Sequence, residues 1–439
     1  MALGGGTWLT QNKILPGAYI NFVSAARATA TLSDRGIATI PVILDWGAQG
    51  EMMEITTADL QKNSLALLGY DFTAPELRGI RDLFKNIRLG YIFRLGADGA
   101  KAANTYATAK YAGTRGNDLN VVINANVDDP LLFDVMLYMD TVLADSQTAV
   151  AAASDLIDNG FVNWISTATL AVTAGTPLTG GTSPTPTNAD YQTYLNLVEA
   201  YSFNAIGCPS NDPAVKMLFA AFTRRMRDEM GVKFQCAMYN PDSNNDFEGI
   251  VDILNKATND DANEQDLFYW VTGILAGTNV NQSATNRVYN GEYSIDVSHT
   301  QLQLENAIRG GKFAFHRVGN VDVRVLVDIN SLVNTTVNKG DDFKQNQTIR
   351  VIDQIGNDIA VVFNTKYLGV IPNDAEGRIS LWADIVRHHE QLQTIRAIEN
   401  FSGEDVTVDQ GDTKNAVVVT DVVSVVNAME KLYMTVTVA

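Results

Sequence analysis

Leu432-Tyr433-Met434-Thr435-Val436-Thr437-Val438 alternates along its length, with Leu432, Met434, Val436 and Val438 on one side and only Ala439 after it. A period of two marks a strand, and an extended strand presents a row of N–H and C=O groups that need a partner. No return strand follows, so this one is expected to pair with something distant in sequence or in another molecule. The opposite end has the same character. After the flexible Gly4-Gly5-Gly6 and the turn signal Pro16-Gly17, residues Ala18, Ile20 and Phe22 alternate with Tyr19, Asn21 and Val23 in a second short strand without a local partner.

Between these ends, 439 residues exceed one ordinary core and predict about two to four domains. The apolar run Ile37–Leu44 predicts a buried strand. Helical patterns follow over Thr57–Leu68 and Pro75–Asn86, with Thr57 and Thr73 as candidate caps, and Tyr91–Leu95 reads as another strand. Strand, helix, helix, strand opens an α/β layer. The character changes from about Ala100. Ala102–Tyr111 has helix-forming composition, but Leu119–Val127, Leu132–Val142, Phe161–Ile165 and Ala168–Val172 are short strands separated by Asn/Asp/Gly turns. They predict an all-β insert, ending in a Thr/Gly/Pro linker over Thr173–Thr187. The α/β pattern then resumes with a helix at Tyr191–Ala200, a strand end at Ala205–Pro209 and a helix from Pro213 to about Met230, with proline at its first position. The last third holds Val321–Ile329, in which Val321, Val323, Val325, Val327 and Ile329 are all β-branched. It also holds an amphipathic helix over Gly377–Phe401 and strands at Val406–Val408 and Ala416–Val426. The expected division is an N-terminal arm (1–25), an α/β core in two parts (26–95 and 189–315), a β insert (96–188), a C-terminal unit (316–427) and a C-terminal arm (428–439).

Charge narrows the function. Lys and Arg number 32 against 50 Asp and Glu, a net −18, which repels phosphate and argues against nucleic acid or an anionic membrane as the main partner. Two cysteines, Cys208 and Cys236, are too few for a disulfide scaffold or a four-thiolate zinc site. Met1–Pro16 lacks the apolar stretch of a signal peptide, and no segment reaches the roughly 20 apolar residues that span a bilayer, so folding in a cytoplasm is expected. His388 and His389 point about 100° apart on a helix and make a poor metal pair; solvated or partly buried helix histidines are expected. Asp242-Ser243-Asn244-Asn245-Asp246 begins like a calcium loop, but Phe247 stands where glycine is needed and Ile253 where a bidentate acid is needed. Gly310-Gly311-Lys312-Phe313 lacks the Ser/Thr of a phosphate loop. There is no G-x-S-x-G elbow. No cofactor is predicted, and an enzyme reading has no positive support.

Three stretches carry a family resemblance: Pro16–Phe22 followed by Ser33-Asp34-Arg35-Gly36, Tyr111-Ala112-Gly113-Thr114-Arg115-Gly116-Asn117-Asp118-Leu119, and Ala428-Met429-Glu430-Lys431-Leu432-Tyr433-Met434-Thr435-Val436. Together they resemble the tail sheath proteins of contractile-tailed bacteriophages and R-type bacteriocins, over nearly the whole chain. The resemblance implies an α+β multidomain fold. A subtilisin-like α/β core is interrupted by a β-sandwich insert, and a C-terminal α+β sheath domain carries extended N- and C-terminal arms. It implies no protease activity. It also implies self-assembly into a helical stack of hexameric discs around a tail tube protein, with baseplate and tail terminator proteins as further partners and no membrane insertion. Its place would be the bacterial host cytoplasm during assembly, then a virion tail or a released bacteriocin particle.

Assembly would run by strand donation, with Ala18–Val23 and Leu432–Val438 each adding to a neighbour's sheet. Val321, Val323, Val325 and Val327 are the recipient candidates, and Gly17 and Asn427-Ala428 the expected hinges. Arg378, Arg387 and Arg396 are read as a basic stripe facing an acidic tube; a solvated face paired with Glu390 and Glu399 is the plainer alternative. Competing readings are a hydrolase-like enzyme on an α/β core with a β insert, a surface-layer protein, which would need an export signal, and a capsid protein.

Overall fold

The computed structural model describes residues 32–96, 98–183, 185–319 and 322–438. The expected strand Ala18–Val23, the hinge Gly17 and the recipient candidate Val321 lie outside them. The chain divides into two compact units. The larger holds Ser33–Asn357, Ile395–Glu399 and Val425–Ala439, and the smaller contains Asp358–Thr394 and Asn400–Ser424.

The larger unit starts with β1 (Ile37–Val42), β2 (Met52–Thr56), helices α1 (Thr57–Leu68) and α2 (Arg78–Phe84), and β3 (Leu89–Arg94). The cap of α1 is Thr56, one residue earlier than Thr57. Asp59 N–H donates to its hydroxyl at 3.2 Å and Asp59 carboxylate accepts its N–H at 3.2 Å, a reciprocal capping box. The insert supplies β4 (Leu119–Ala125), β5 (Phe133–Met139), β6 (Val142–Val150) and β7 (Thr173–Pro177), an antiparallel sheet ordered β6-β5-β4-β7. Leu119, Val121 and Ile123 alternate inward with Val135, Leu137 and Met139 to form its core. Two expectations fail here. Thr173–Pro177 is a strand paired with β4, not linker. Residues 102–111 form no helix, because Asn104 Oδ1 accepts the N–H of Tyr106 and Ala107 and turns the chain into the short strand Ala107–Ala109.

The core resumes with α3 (Asn188–Val198), β8 (Ala205–Cys208), α4 (Pro213–Arg224), β9 (Gln235–Tyr239), β10 (Ile250–Ile253), α5 (Phe268–Gly277), α6 (Gln301–Arg309) and β11 (Lys312–Phe313). The seven-stranded sheet runs β11-β10-β9-β8-β1-β3-β2, parallel except for β2 against β3. Both faces are covered, as a parallel sheet requires. Ala38, Ile40 and Val42 join α2 and α5 in one apolar cluster, while α3 and α4 build another around Ile206, Phe219 and Phe234. Thr39 faces that second side and shares a 2.8 Å hydrogen bond with Tyr194.

β12 (Phe315–Val318) and β13 (Asp322–Val325) form a hairpin; β13 ends at Val325, short of the predicted Ile329. Asp328 stops it by turning inward, fully buried, to accept Ala284 N–H at 2.8 Å and Asn346 Nδ2 at 2.9 Å. Residues 316–357 stay with the larger unit, against the expected boundary at 316. Ser331 N–H donates to Ile250 O at 2.8 Å, and Arg227 holds Asp353 through two bonds of 2.7 and 2.8 Å. Helix α7 (Asn346–Val362) begins in the larger unit and ends in the smaller one, where α8 (Ala375–Thr394) carries the hairpin β14 (Val406–Gln410) and β15 (Val417–Asp421). Trp382 Nε1 fastens them by donating to Gly403 O at 3.1 Å and Val406 O at 3.0 Å.

Candidate assembly surfaces

The predicted terminal strand pairs with nothing among the described residues. Residues 426–438 carry no regular secondary structure. Leu432 is 85% exposed, Tyr433 89%, Met434 73%, Val436 71% and Val438 91%. Such a contiguous apolar surface marks an interaction site rather than ordinary surface scatter.

The segment is clasped at its base. Buried Gln347 on α7 donates from Nε2 to Val426 O at 3.0 Å and accepts Ala428 N–H at 3.0 Å, imitating one rung of a sheet. Thr348 Oγ1 bonds Asn427 Oδ1 at 3.2 Å, and Thr285 Oγ1 donates to Glu430 at 2.7 Å. The expected hinge at Asn427-Ala428 is therefore held, and the unfastened stretch begins at Lys431. Nothing in the local sequence signals this, since the clasp spans about 80 residues. Gln347→Ala is expected to lower stability by about 1–3 kcal/mol, because two backbone groups lose their partner; urea unfolding of this variant beside the parent chain measures it.

The recipient candidates are corrected. Val323 and Val325 lie on a strand paired on both edges, with β12 on one side and residues 286–289 on the other. Tyr289 N–H donates to Val323 O at 2.9 Å, Asn286 N–H to Val325 O at 2.9 Å, and Val325 N–H to Arg287 O at 3.0 Å. Val327 lies beyond the strand. No further strand fits there. The β14–β15 hairpin is different. Its register and the bond from Gly411 N–H to Ala416 O turn Val417, Val419 and Asp421 outward along β15, where no backbone partner is found among the described residues. Val418 and Val419 are exposed there.

The basic stripe is corrected as well. Arg378 and Arg387 are nine residues apart on α8, so they point about 180° from one another. Arg378 donates to Asn373 O and Oδ1 at 3.2 and 3.1 Å, and Arg387 pairs with Asp384 at 3.2 Å. Arg396 lies past the helix in left-handed backbone at φ 61°. The two histidines are fully buried rather than solvated. His388 Nε2 meets Asp358 at 2.9 Å, while His389 meets Asp421 at 2.9 Å and Ile385 O at 2.9 Å.

A cavity of about 470 Å³ opens at the carboxyl ends of β8 and β9, where open α/β sheets commonly bind ligands. Its polar groups hold the loop 240–246 together instead. Asn245 Nδ2 donates to Asp252 at 2.7 Å, and Lys312 Nζ donates to Asn240 O at 2.5 Å and to Ser243 O. Burial pushes the Cys208 thiol up to about 12 and raises Cys236 as well, which suits inert core residues rather than nucleophiles. Among the described residues no group of three or more His, Cys, Asp or Glu is placed to hold a metal, and no helix is long and apolar enough to cross a membrane.

The domains match three family models. The phage tail sheath protein beta-sandwich domain covers residues 97–185, the phage tail sheath protein central domain 185–331, and the phage tail sheath C-terminal domain 338–439. They define a structural, non-enzymatic protein of the tail sheath class. The chain is 33% identical to the phage-like element PBSX protein XkdK of Bacillus subtilis, over 99% of both chains. It is 36% identical to a sheath tail protein from Desulfitobacterium hafniense whose crystal structure matches at TM-score 0.81, over 95% of this chain and 99% of that one. The contracted helical sheath of the anti-feeding prophage shares the fold at 12% identity and TM-score 0.59, covering 97% and 99%. The chain belongs to the phage tail sheath family.

Proposed function

We propose that this sheath subunit polymerises by inter-subunit strand donation into a helical tube of six-fold discs around a tail tube. Baseplate and terminator proteins would bound the tube, which would assemble in the host cytoplasm and end in a virion tail or a bacteriocin particle. The core that carries these arms is read as subtilisin-like, a reading supported by its mostly parallel sheet covered on both faces. The observation that carries the proposal is the exposed, alternating stretch Leu432–Val438 beyond a fastened base. The outward edge of β15 on a second copy supplies matching N–H and C=O groups, so donation there completes a ladder. Each bond is worth only about 0.5–1.5 kcal/mol, but mutual donation around a disc and between discs multiplies weak contacts into a mesh. Contraction would release free energy stored in an extended, metastable state, with no nucleotide consumed.

Electron microscopy of the purified chain tests this, with hollow striated tubes as the expected result. Val419→Pro, which removes one outward N–H while sparing the bonds inside the hairpin, is expected to shorten or abolish them. Tubes of parental length from that variant would overturn β15 as the acceptor.

A further inference from the structure

At the amino ends of β1, β8 and β9, under the first turns of α7, lies a cavity of about 20 Å³ lined by Arg35, Asn204, Lys233, Gln235, Arg350 and Asn357, among others. That volume suits one small species of about the size of a water molecule. Its walls are rich in donors. Arg350 is 1% exposed, and its Nη2 donates to Gln282 O at 2.9 Å and pairs with Asp328. Its Nε and Nη1 are buried without a protein partner among the described residues. Several oxygens around them are already engaged. Asn204 Oδ1 accepts Gly36 and Ile37 N–H at 3.0 Å each, and Asn357 Oδ1 accepts Lys233 N–H at 3.0 Å. Both Asp353 oxygens are held by Arg227.

We infer that this cavity is a binding site for a single halide-sized anion, chloride in solution, held by Arg350 Nε and Nη1 and by the positive charge of Lys233. Two N–H groups of a guanidinium left bare in the interior are costly, and one anion accepts both. Lys233 adds positive charge: its ammonium is disfavoured first by burial and next by the neighbouring Arg227, with Asp353, Asp228 and Glu248 acting in the opposite sense. An anion would fasten the first turns of α7 to the floor of the sheet. A multi-atom anion does not fit that volume.

Crystals of the full chain grown in sodium bromide, with data collected at the bromine edge, test the site directly. The expected result is an anomalous peak within hydrogen-bond reach of Arg350 Nε and Nη1. In parallel, thermal unfolding is compared in chloride and in gluconate at equal ionic strength. Saturable halide binding to the folded state is expected to raise the midpoint by about 2 °C or more in chloride, and Lys233→Met to reduce that difference. No anomalous peak, together with equal midpoints in both salts, would show that the cavity holds only water and would overturn the proposal.

Discussion

A chain ending at Glu430 is expected to remain a folded monomer and to form no sheath-length polymer. Residues 431–438 are exposed, and the clasp at Gln347, Thr348 and Thr285 is complete by Glu430. Thermal unfolding should therefore shift by no more than about 1–2 °C. Polymerisation is a different matter. Leu432, Met434, Val436 and Val438 share one side of an extended segment, and each is worth about 1.5–3 kcal/mol when fully buried against a neighbour. Losing some 6 kcal/mol at one junction weakens it by a factor on the order of 10⁴, and every subunit in the lattice would lose it at once. Electron microscopy and sedimentation of the truncated and parental chains, prepared alike, read the two effects separately. Long, regular sheaths from the truncated chain would remove strand donation by this segment from the account. A truncated chain that unfolds would mean that the segment belongs to the fold rather than to a neighbour.

The physical reason the stretch Leu432–Val438 stood out in sequence is the same reason it stays bare in the monomer: alternation announces a strand wherever its partner lies. Local signals were equally readable elsewhere. The helix Thr57–Leu68 was legible from its apolar period, with the cap one residue before the expected Thr57, and Pro213 opens α4 because its missing N–H costs nothing at that position. Leu119, Val121 and Ile123 show the insert's inner face directly. What stayed hidden depends on groups far away in the chain. Thr173–Pro177 has the composition of a linker and becomes a strand only because β4 offers it a backbone edge. Val323 and Val325 look like an open recipient until residues 286–289 fill their second edge. His388 and His389 have the composition of a solvated pair, yet Asp358 and Asp421, each about 30 residues away, meet them inside the smaller unit. The basic stripe failed for a simpler reason: α8 stops at Thr394, and nine residues between arginines is half a turn out of phase.

Gly113→Ala is expected to cost about 4 kcal/mol or more, on the usual scale of severe core lesions. Gly113 sits in the Tyr111–Leu119 stretch that links core and insert, at φ +138°, a conformation that L side chains rarely adopt. A Cβ there would lie 1.8 Å from Asp45 O and 2.9 Å from Arg94 Nη2. Neither can retreat. Asp45 follows the end of β1, and Arg94 is buried with its guanidinium donating to Leu44 O at 2.7 Å, Gly47 O at 2.9 Å and Ala112 O at 2.6 Å. The methyl would therefore press on a side chain that ties the end of the first strand to the entry of the insert. Those three carbonyls would lose their donor together, leaving a buried charge with nothing to hold. Gly180→Ala separates this clash from simple backbone strain: Gly180 also has positive φ, at +84°, but no atom lies within 4 Å of its added Cβ. It should cost only about 1 kcal/mol. Urea unfolding of the two variants, each compared with the parent, measures the gap. Equal losses would mean that φ alone, not the closeness of Asp45 and Arg94, explains why glycine stands at position 113.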